Sequence, residues 1–143
     1  MAIYGIGASY SGKFDKTNAF IENNCACIGW SVNDAPALHQ ILKKIKIGDF
    51  IYIKSMSITT KELHIKAVGI VMDDSIEEKS DLGLGITVKW LWKNEEKVRV
   101  SLTEEMYKYN VYNNTLYEEY FHIVQRKVLE LALKNYSRGF HKI

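Results

Sequence analysis

Between residues 50 and 102 the chain returns repeatedly to short runs with a two-residue period of apolar side chains, a spacing that fits β-strands and no helix. Phe50 to Ser55 alternates aromatic and aliphatic positions behind a Gly48-Asp49 turn. Leu63 to Met72 predicts a second strand through Ile65, Val68 and Val71, and Gly85 to Trp92 a third with Ile86, Val88 and Trp90 on one parity. Val98 to Leu102 reads as a fourth. Between the second and third, Asp73 to Leu84 is polar and ends in Gly83-Leu84-Gly85, which predicts a mobile loop. The expectation is one antiparallel, barrel-like sheet over residues 47 to 102, with the Gly48-Asp49 turn at a rim.

The flanks predict the covering elements. Residues 2 to 8 read as a short strand ending in glycines, and Ser9 to Lys16 as a polar turn. Thr17 to Asn24 suits one or two helical turns capped by Asp15 or Thr17, and Cys25 to Trp30 is a buried type of strand. Pro36 stands near the start of a helix carrying Leu38, Ile41, Leu42 and Ile45 at helical spacing. From Leu116 to Tyr136, apolar residues recur every three to four positions, so an amphipathic helix is expected to close the fold. Neither a repeat nor a linker interrupts the pattern. The prediction is a single α+β domain over residues 1–143.

Composition narrows the function classes. The 143 residues are 47% hydrophobic and 25% charged with one proline, which excludes a disordered chain. A net charge of +2 is too small to argue for nucleic acid by itself, so any basic surface must be local. No apolar run reaches the roughly 20 residues of a membrane span. Met1 is followed by Ala-Ile-Tyr-Gly-Ile-Gly rather than a basic head and apolar run, so a reduced, cytoplasmic setting is expected. The aromatic content is the outlier: nine Tyr, three Trp and five Phe exceed what a small core alone requires.

Catalytic and metal signatures are weak. Cys25 and Cys27 share a strand face, but His39, His64, His122 and His141 are scattered, and no pair has a zinc spacing. There is no Gly-x-Ser-x-Gly elbow, and Glu104-Glu105 suits a helix start better than an acid and base pair. Gly5-Ile6-Gly7-Ala8-Ser9-Tyr10-Ser11-Gly12 lacks the Gly-Lys-Ser/Thr ending of a phosphate loop. Its small residues nevertheless permit close approach of a ligand or a neighbouring backbone. The expectation is a non-catalytic protein with no metal and no cofactor.

The ordered series Gly48-Asp49-Phe50-Ile51-Tyr52-Ile53-Lys54, then Ile65-Lys66-Ala67-Val68-Gly69-Ile70-Val71, then Val88-Lys89-Trp90, with Ile28-Gly29-Trp30 upstream, resembles the PUA-like superfamily. The likeness is to EVE-type domains and the N-terminal target-recognition domains of McrB-like restriction proteins, and it spans residues 3 to 125. It implies a bent β-barrel with peripheral helices and a cleft that takes a nucleobase, commonly a modified base flipped from DNA or an RNA nucleotide. No GTPase sequence follows within the 143 residues, so a standalone binder is expected.

A flipped base has lost its stacking partners, and aromatic faces replace them at roughly 1 to 3 kcal/mol per base. Trp30, followed by Ser31, Asn33 and Asp34, offers a ring beside groups able to read a base edge, and Ser9 and Tyr10 approach from the first strand. Trp92 shares strand parity with Trp90, and Lys54-Ser55 ends its strand where phosphate contact is feasible; barrel core and a solvated strand end are the competing readings. Arg126 and Lys127, with Lys134, Arg138 and Lys142, concentrate positive charge on the closing helix, which suits a phosphate backbone or simply the helix dipole. The expected partner is modified DNA or RNA. The alternative is a sponge that sequesters a small cyclic or linear nucleotide signal, as viral counter-defence proteins do, with homo-oligomerisation available to close its pocket. A third option is an adaptor using Tyr107, Tyr109, Tyr112, Tyr117 and Tyr120 as an interface belt.

Overall fold

The computed structural model describes residues 1–108 and 111–141, the side chains of 95, 96 and 135–141 aside. In chain order the elements are β1 (Ile3–Gly7), β2 (Ser9–Tyr10), β3 (Phe14–Asp15), α1 (Thr17–Glu22), β4 (Cys25–Ile28), α2 (Pro36–Lys44), β5 (Phe50–Ser57), β6 (Glu62–Glu78) and β7 (Leu84–Ser101). There follow α3 (Glu104–Lys108), a 3₁₀ turn (Val111–Asn113), β8 (Leu116–Glu118) and α4 (His122–His141). The fold is α+β.

Six strands form one sheet in the order β4-β7-β6-β5-β1-β8, and β2 and β3 form a separate hairpin. β5, β6 and β7 pair antiparallel, as the two-residue period predicts. The sheet as a whole is mixed, because β1 runs parallel to β5 with Ile3 opposite Phe50 and Gly7 opposite Lys54. The antiparallel pairing expected over residues 47 to 102 holds, and the parallel β1–β5 pair makes the sheet as a whole mixed rather than antiparallel throughout. Strands of 17 and 18 residues cannot stay flat, and four register shifts between β6 and β7 bend that ribbon into a half-barrel.

The bend gives the ribbon two cores. One gathers Ile6, Phe20, Cys25, Cys27, Ile28, Leu42, Ile51, Ile53, Val71 and Val88. The other gathers Tyr52, Leu63, Ile65, Val68, Trp92, Tyr112, Tyr117, Val124 and Val128. Strand β5 therefore buries both faces, Ile51 and Ile53 toward one core and Tyr52 toward the other. Its neighbour β1 carries glycine where the second core needs room: a Cβ at Gly5 would lie 2.5 Å from the Tyr117 ring. The Gly5-Ile6-Gly7 spacing thus serves side-chain packing across strands.

The Gly48-Asp49 motif has an equally concrete role. Gly48 takes φ of 90°, and the buried Asp49 carboxylate accepts the Ala2 and Lys46 backbone N–H groups, both at 2.9 Å. It ties the start of β1 to the entry of β5. Three further expectations are corrected. Residues 73 to 78 continue β6 rather than forming a mobile loop, and Val98 to Ser101 belongs to β7 rather than to a separate strand. Leu116 to Glu118 is strand β8 against β1, so the closing helix begins only at His122. The three-to-four spacing there misleads because Leu116 and Tyr117 are buried by the sheet, not by the helix.

Candidate functional site

Strand β1 ends at Gly7, whose N–H donates to the Thr115 carbonyl at 2.7 Å, bringing the segment before β8 against the start of the β2-β3 hairpin. The hairpin turns on Ser11 and Gly12, with φ of 56° and 66°. On the other side, β4 ends at Ile28 and releases Gly29 and Trp30. These pieces enclose a cleft of about 220 Å³ lined by Gly7, Ser9, Tyr10, Ser11, Gly29, Trp30 and Thr115.

Each wall is fixed by a separate device. The Tyr10 hydroxyl donates to the Leu82 carbonyl, and its ring meets Phe20 edge-on at 6.2 Å. Burial, with the neighbouring Cys27, Cys25 and Glu78, holds that phenol protonated far above the ordinary tyrosine range. Gly29 is glycine because a Cβ would come within 2.8 Å of the Tyr10 ring. The Trp30 carbonyl is held at 2.8 Å by His39 Nε2, which must be the protonated ring nitrogen because a carbonyl only accepts. The Trp30 backbone is pinned while its side of the cleft stays open, the residue being 56% exposed.

The cleft is neutral. Among the described residues, no lysine or arginine lines it, and the Ser9, Ser11 and Thr115 hydroxyls make no hydrogen bond. An aromatic wall beside free hydroxyls and exposed peptide groups suits a flat, uncharged ring with donors and acceptors on its edge.

Of the residues expected from sequence, the structure brings Ser9, Tyr10 and Trp30 together here. Ser31 lines an adjoining cleft, and Asn33 and Asp34 lie exposed in the following turn, where the Asp34 N–H donates to Ser31 Oγ at 3.1 Å. Five expected residues stand elsewhere. Trp92 is buried in the second core, because the register shift between Val68 and Gly69 separates it from Trp90, whose indole N–H donates to the Phe20 carbonyl at 3.1 Å. Lys54 is no exposed strand end: it is 8% exposed, donates to the Tyr112 carbonyl at 2.6 Å and sits over the Tyr117 ring. Burial pulls its pKa down to about 8. Arg126 and Lys127 lie on α4, which packs on β6 and β7 and lends the cleft no residue. Ser55 is half-buried in β5 and also absent from the cleft. The Arg138 side chain and Lys142 lie outside the described residues.

Sequence reasoning missed Gly7, Ser11, Gly29 and Thr115. Gly7 and Ser11 lie in the small-residue run that permits close approach and Gly29 stands beside a tryptophan, whereas Thr115 carried no local signal. It also missed a buried network: the Tyr52 hydroxyl donates to Glu119 at 2.6 Å and lies 2.7 Å from the Tyr117 hydroxyl, and the Tyr112 hydroxyl donates to Glu119 at 3.0 Å. Burial raises the Glu119 carboxyl above its ordinary range. With its oxygens satisfied from within, the network binds β5, the 3₁₀ turn and β8 together. The Tyr belt dissolves accordingly: Tyr112 and Tyr117 are core, Tyr120 is exposed, and Tyr109 lies outside the described residues.

No family model matches the chain, and no curated protein matches it. Among solved structures it is similar to the NMR structure of Rpa0253 from Rhodopseudomonas palustris, with a TM-score of 0.51 and 11% identity over 92% of this chain and 93% of that one. That likeness concerns the fold alone. Among the described residues, no three His, Cys, Asp or Glu side chains gather as metal ligands, and no helix is long and apolar enough to cross a membrane.

Proposed function

We propose that this chain is a PUA-like domain that binds a nucleobase without transforming it, the base entering the cleft between Trp30 and Tyr10. The observation that carries this reading is the pairing of an exposed, backbone-pinned Trp30 with the uncommitted hydroxyls of Ser9, Ser11 and Thr115. Trp30 is 56% exposed beside the cleft, so a face of its ring is available to stack on a ligand. The hydroxyls discriminate among base edges, since each donates or accepts. A modified base displaced from DNA or RNA fits this chemistry, its stacking recovered on the aromatic wall.

Among the described residues no lysine or arginine lines the cleft, so it takes the uncharged ring and leaves the phosphate outside, which a free small nucleotide, the second reading, meets as well as a strand does. Calorimetric titration of mononucleotides and short oligonucleotides separates the two. A strand reader loses affinity with log salt at a slope of about −0.7 to −0.9 per phosphate, and a free-nucleotide binder shows little slope. Both readings require Trp30→Ala to weaken binding by roughly 1 to 3 kcal/mol with the melting temperature retained. Undiminished affinity in that variant removes the cleft from consideration.

A further inference from the structure

Gly29 and Trp30 line not one cleft but two. The second, of about 370 Å³, is formed with Ile28, Ser31, Val32, His39, Glu78 and Leu84, and the two share no other residue. Ligand pockets for small molecules ordinarily span about 300 to 1,000 Å³, so the first cleft, at about 220 Å³, holds a ring system but not a whole nucleotide. Whatever is joined to that ring must continue across Trp30 or into solvent. We infer that the second cleft is a second base subsite, and that the ligand is two nucleobases joined through a phosphodiester, with Trp30 as the partition between them.

The chemistry of the second cleft argues for a base rather than a phosphate. Among the described residues its lining has no lysine or arginine, and it carries the Glu78 carboxylate, one oxygen of which accepts the Gly83 N–H at 3.1 Å. A carboxylate repels an anion but accepts from the exocyclic amino group of adenine, cytosine or guanine. Ile28, Val32 and Leu84 supply apolar surface for the ring, Val32 being 49% exposed. Among the described residues neither cleft is lined by a lysine or arginine, which leaves the linking phosphate in water, outside both. The partition is built to hold its place: His39 fixes the Trp30 carbonyl, and the next residue, Ser31, accepts the Asp34 N–H.

This inference rests on the proposed base cleft, and the test keeps the two apart. The four 5′-mononucleotides, the matching linear and cyclic dinucleotides and a single-stranded hexanucleotide are titrated into the wild type, Trp30→Ala and Val32→Asp. For the preferred base, a dinucleotide should bind about tenfold or more tighter than the mononucleotide. Val32→Asp should erase that gain while leaving mononucleotide affinity within about twofold, and Trp30→Ala should weaken both. Tightest binding of the cyclic dinucleotide identifies a soluble signal as the source; tightest binding of the hexanucleotide identifies a strand. Equal affinity for mono- and dinucleotides, or equal loss of both in Val32→Asp, overturns the second subsite and leaves the first standing. Failure of every nucleotide to bind overturns both.

Discussion

Gly29→Ala probes how tightly the cleft is built. The added methyl would lie 2.8 Å from Tyr10 Cε2 and 3.0 Å from both Cδ2 and Cζ, against ordinary contacts of 3.4 to 4 Å. The ring must retreat by several tenths of an ångström, and both directions of retreat are blocked. Its hydroxyl is committed to the Leu82 carbonyl, and its edge rests on Phe20, which is fully buried. Overpacking of this kind costs about 1 to 3 kcal/mol, and losing the hydroxyl's hydrogen bond adds about 1 kcal/mol. Chemical denaturation should therefore show Gly29→Ala destabilised by about 2 kcal/mol. Affinity for the best-binding nucleotide should fall about tenfold as the wall shifts, equivalent to about 1.4 kcal/mol. Tyr10→Ala removes the ring the methyl strikes, so the double variant should be less destabilised than the sum of the single ones. If Gly29→Ala changes stability by less than about 0.5 kcal/mol, or the double variant is strictly additive, the contact does not shape the cleft.

Two further outcomes follow from buried charge. Lys54 gives up its proton near pH 8 when folded but only near 10.5 when unfolded, so in that interval the unfolded chain binds more protons and stability rises with pH. Denaturation at pH 7.5 and 9.5 should show a gain on the order of 2 kcal/mol that Lys54→Met abolishes, and an equal slope in both proteins would refute the burial of the ammonium. Above pH 10 the buried phenols of Tyr52 and Tyr117, which keep their protons longer when folded, should reverse the trend. Asp49→Ala should cost about 3 to 5 kcal/mol by leaving the Ala2 and Lys46 N–H groups without their acceptor, read as a shift in denaturation midpoint; a loss below about 1 kcal/mol would mean the carboxylate does not tie β1 to β5.

The antiparallel core of the sheet was legible because β5 and the first halves of β6 and β7 repeat with the period of a strand. The turn at Gly48 was legible because its backbone demands glycine. The parallel pairing of β1 with β5 was not, since it joins residues 47 apart in sequence and nothing local to either strand encodes a partner. Strand parity failed for Trp90 and Trp92 because a bulge between them resets which face each side chain takes. Lys54 misled for a different reason: a lysine reads as a surface residue, but the Tyr112 carbonyl accepts from its ammonium and the Tyr117 ring offers a face for its charge. The site was half legible. Ser9, Tyr10 and Trp30 declared themselves through residue type, whereas Thr115 reaches the cleft only through its backbone bond to Gly7.

Contact of a base with Trp30 is tested within one sample by the three tryptophan indole N–H signals in an ¹⁵N-correlated NMR spectrum. Trp30 is exposed at the cleft, the Trp90 indole is tied to the Phe20 carbonyl, and Trp92 is buried in the second core. Trp30→Phe assigns the first signal by its disappearance. Addition of the best-binding nucleotide should move the Trp30 signal and the Ser9, Ser11 and Gly29 amides, with Trp90 and Trp92 unchanged. A Trp30 signal that stays fixed at saturation, while residues of the cleft of about 520 Å³ lined by Asp15, Lys66 and Lys93 or of that of about 580 Å³ lined by Tyr117 and Tyr120 respond, would contradict the assignment.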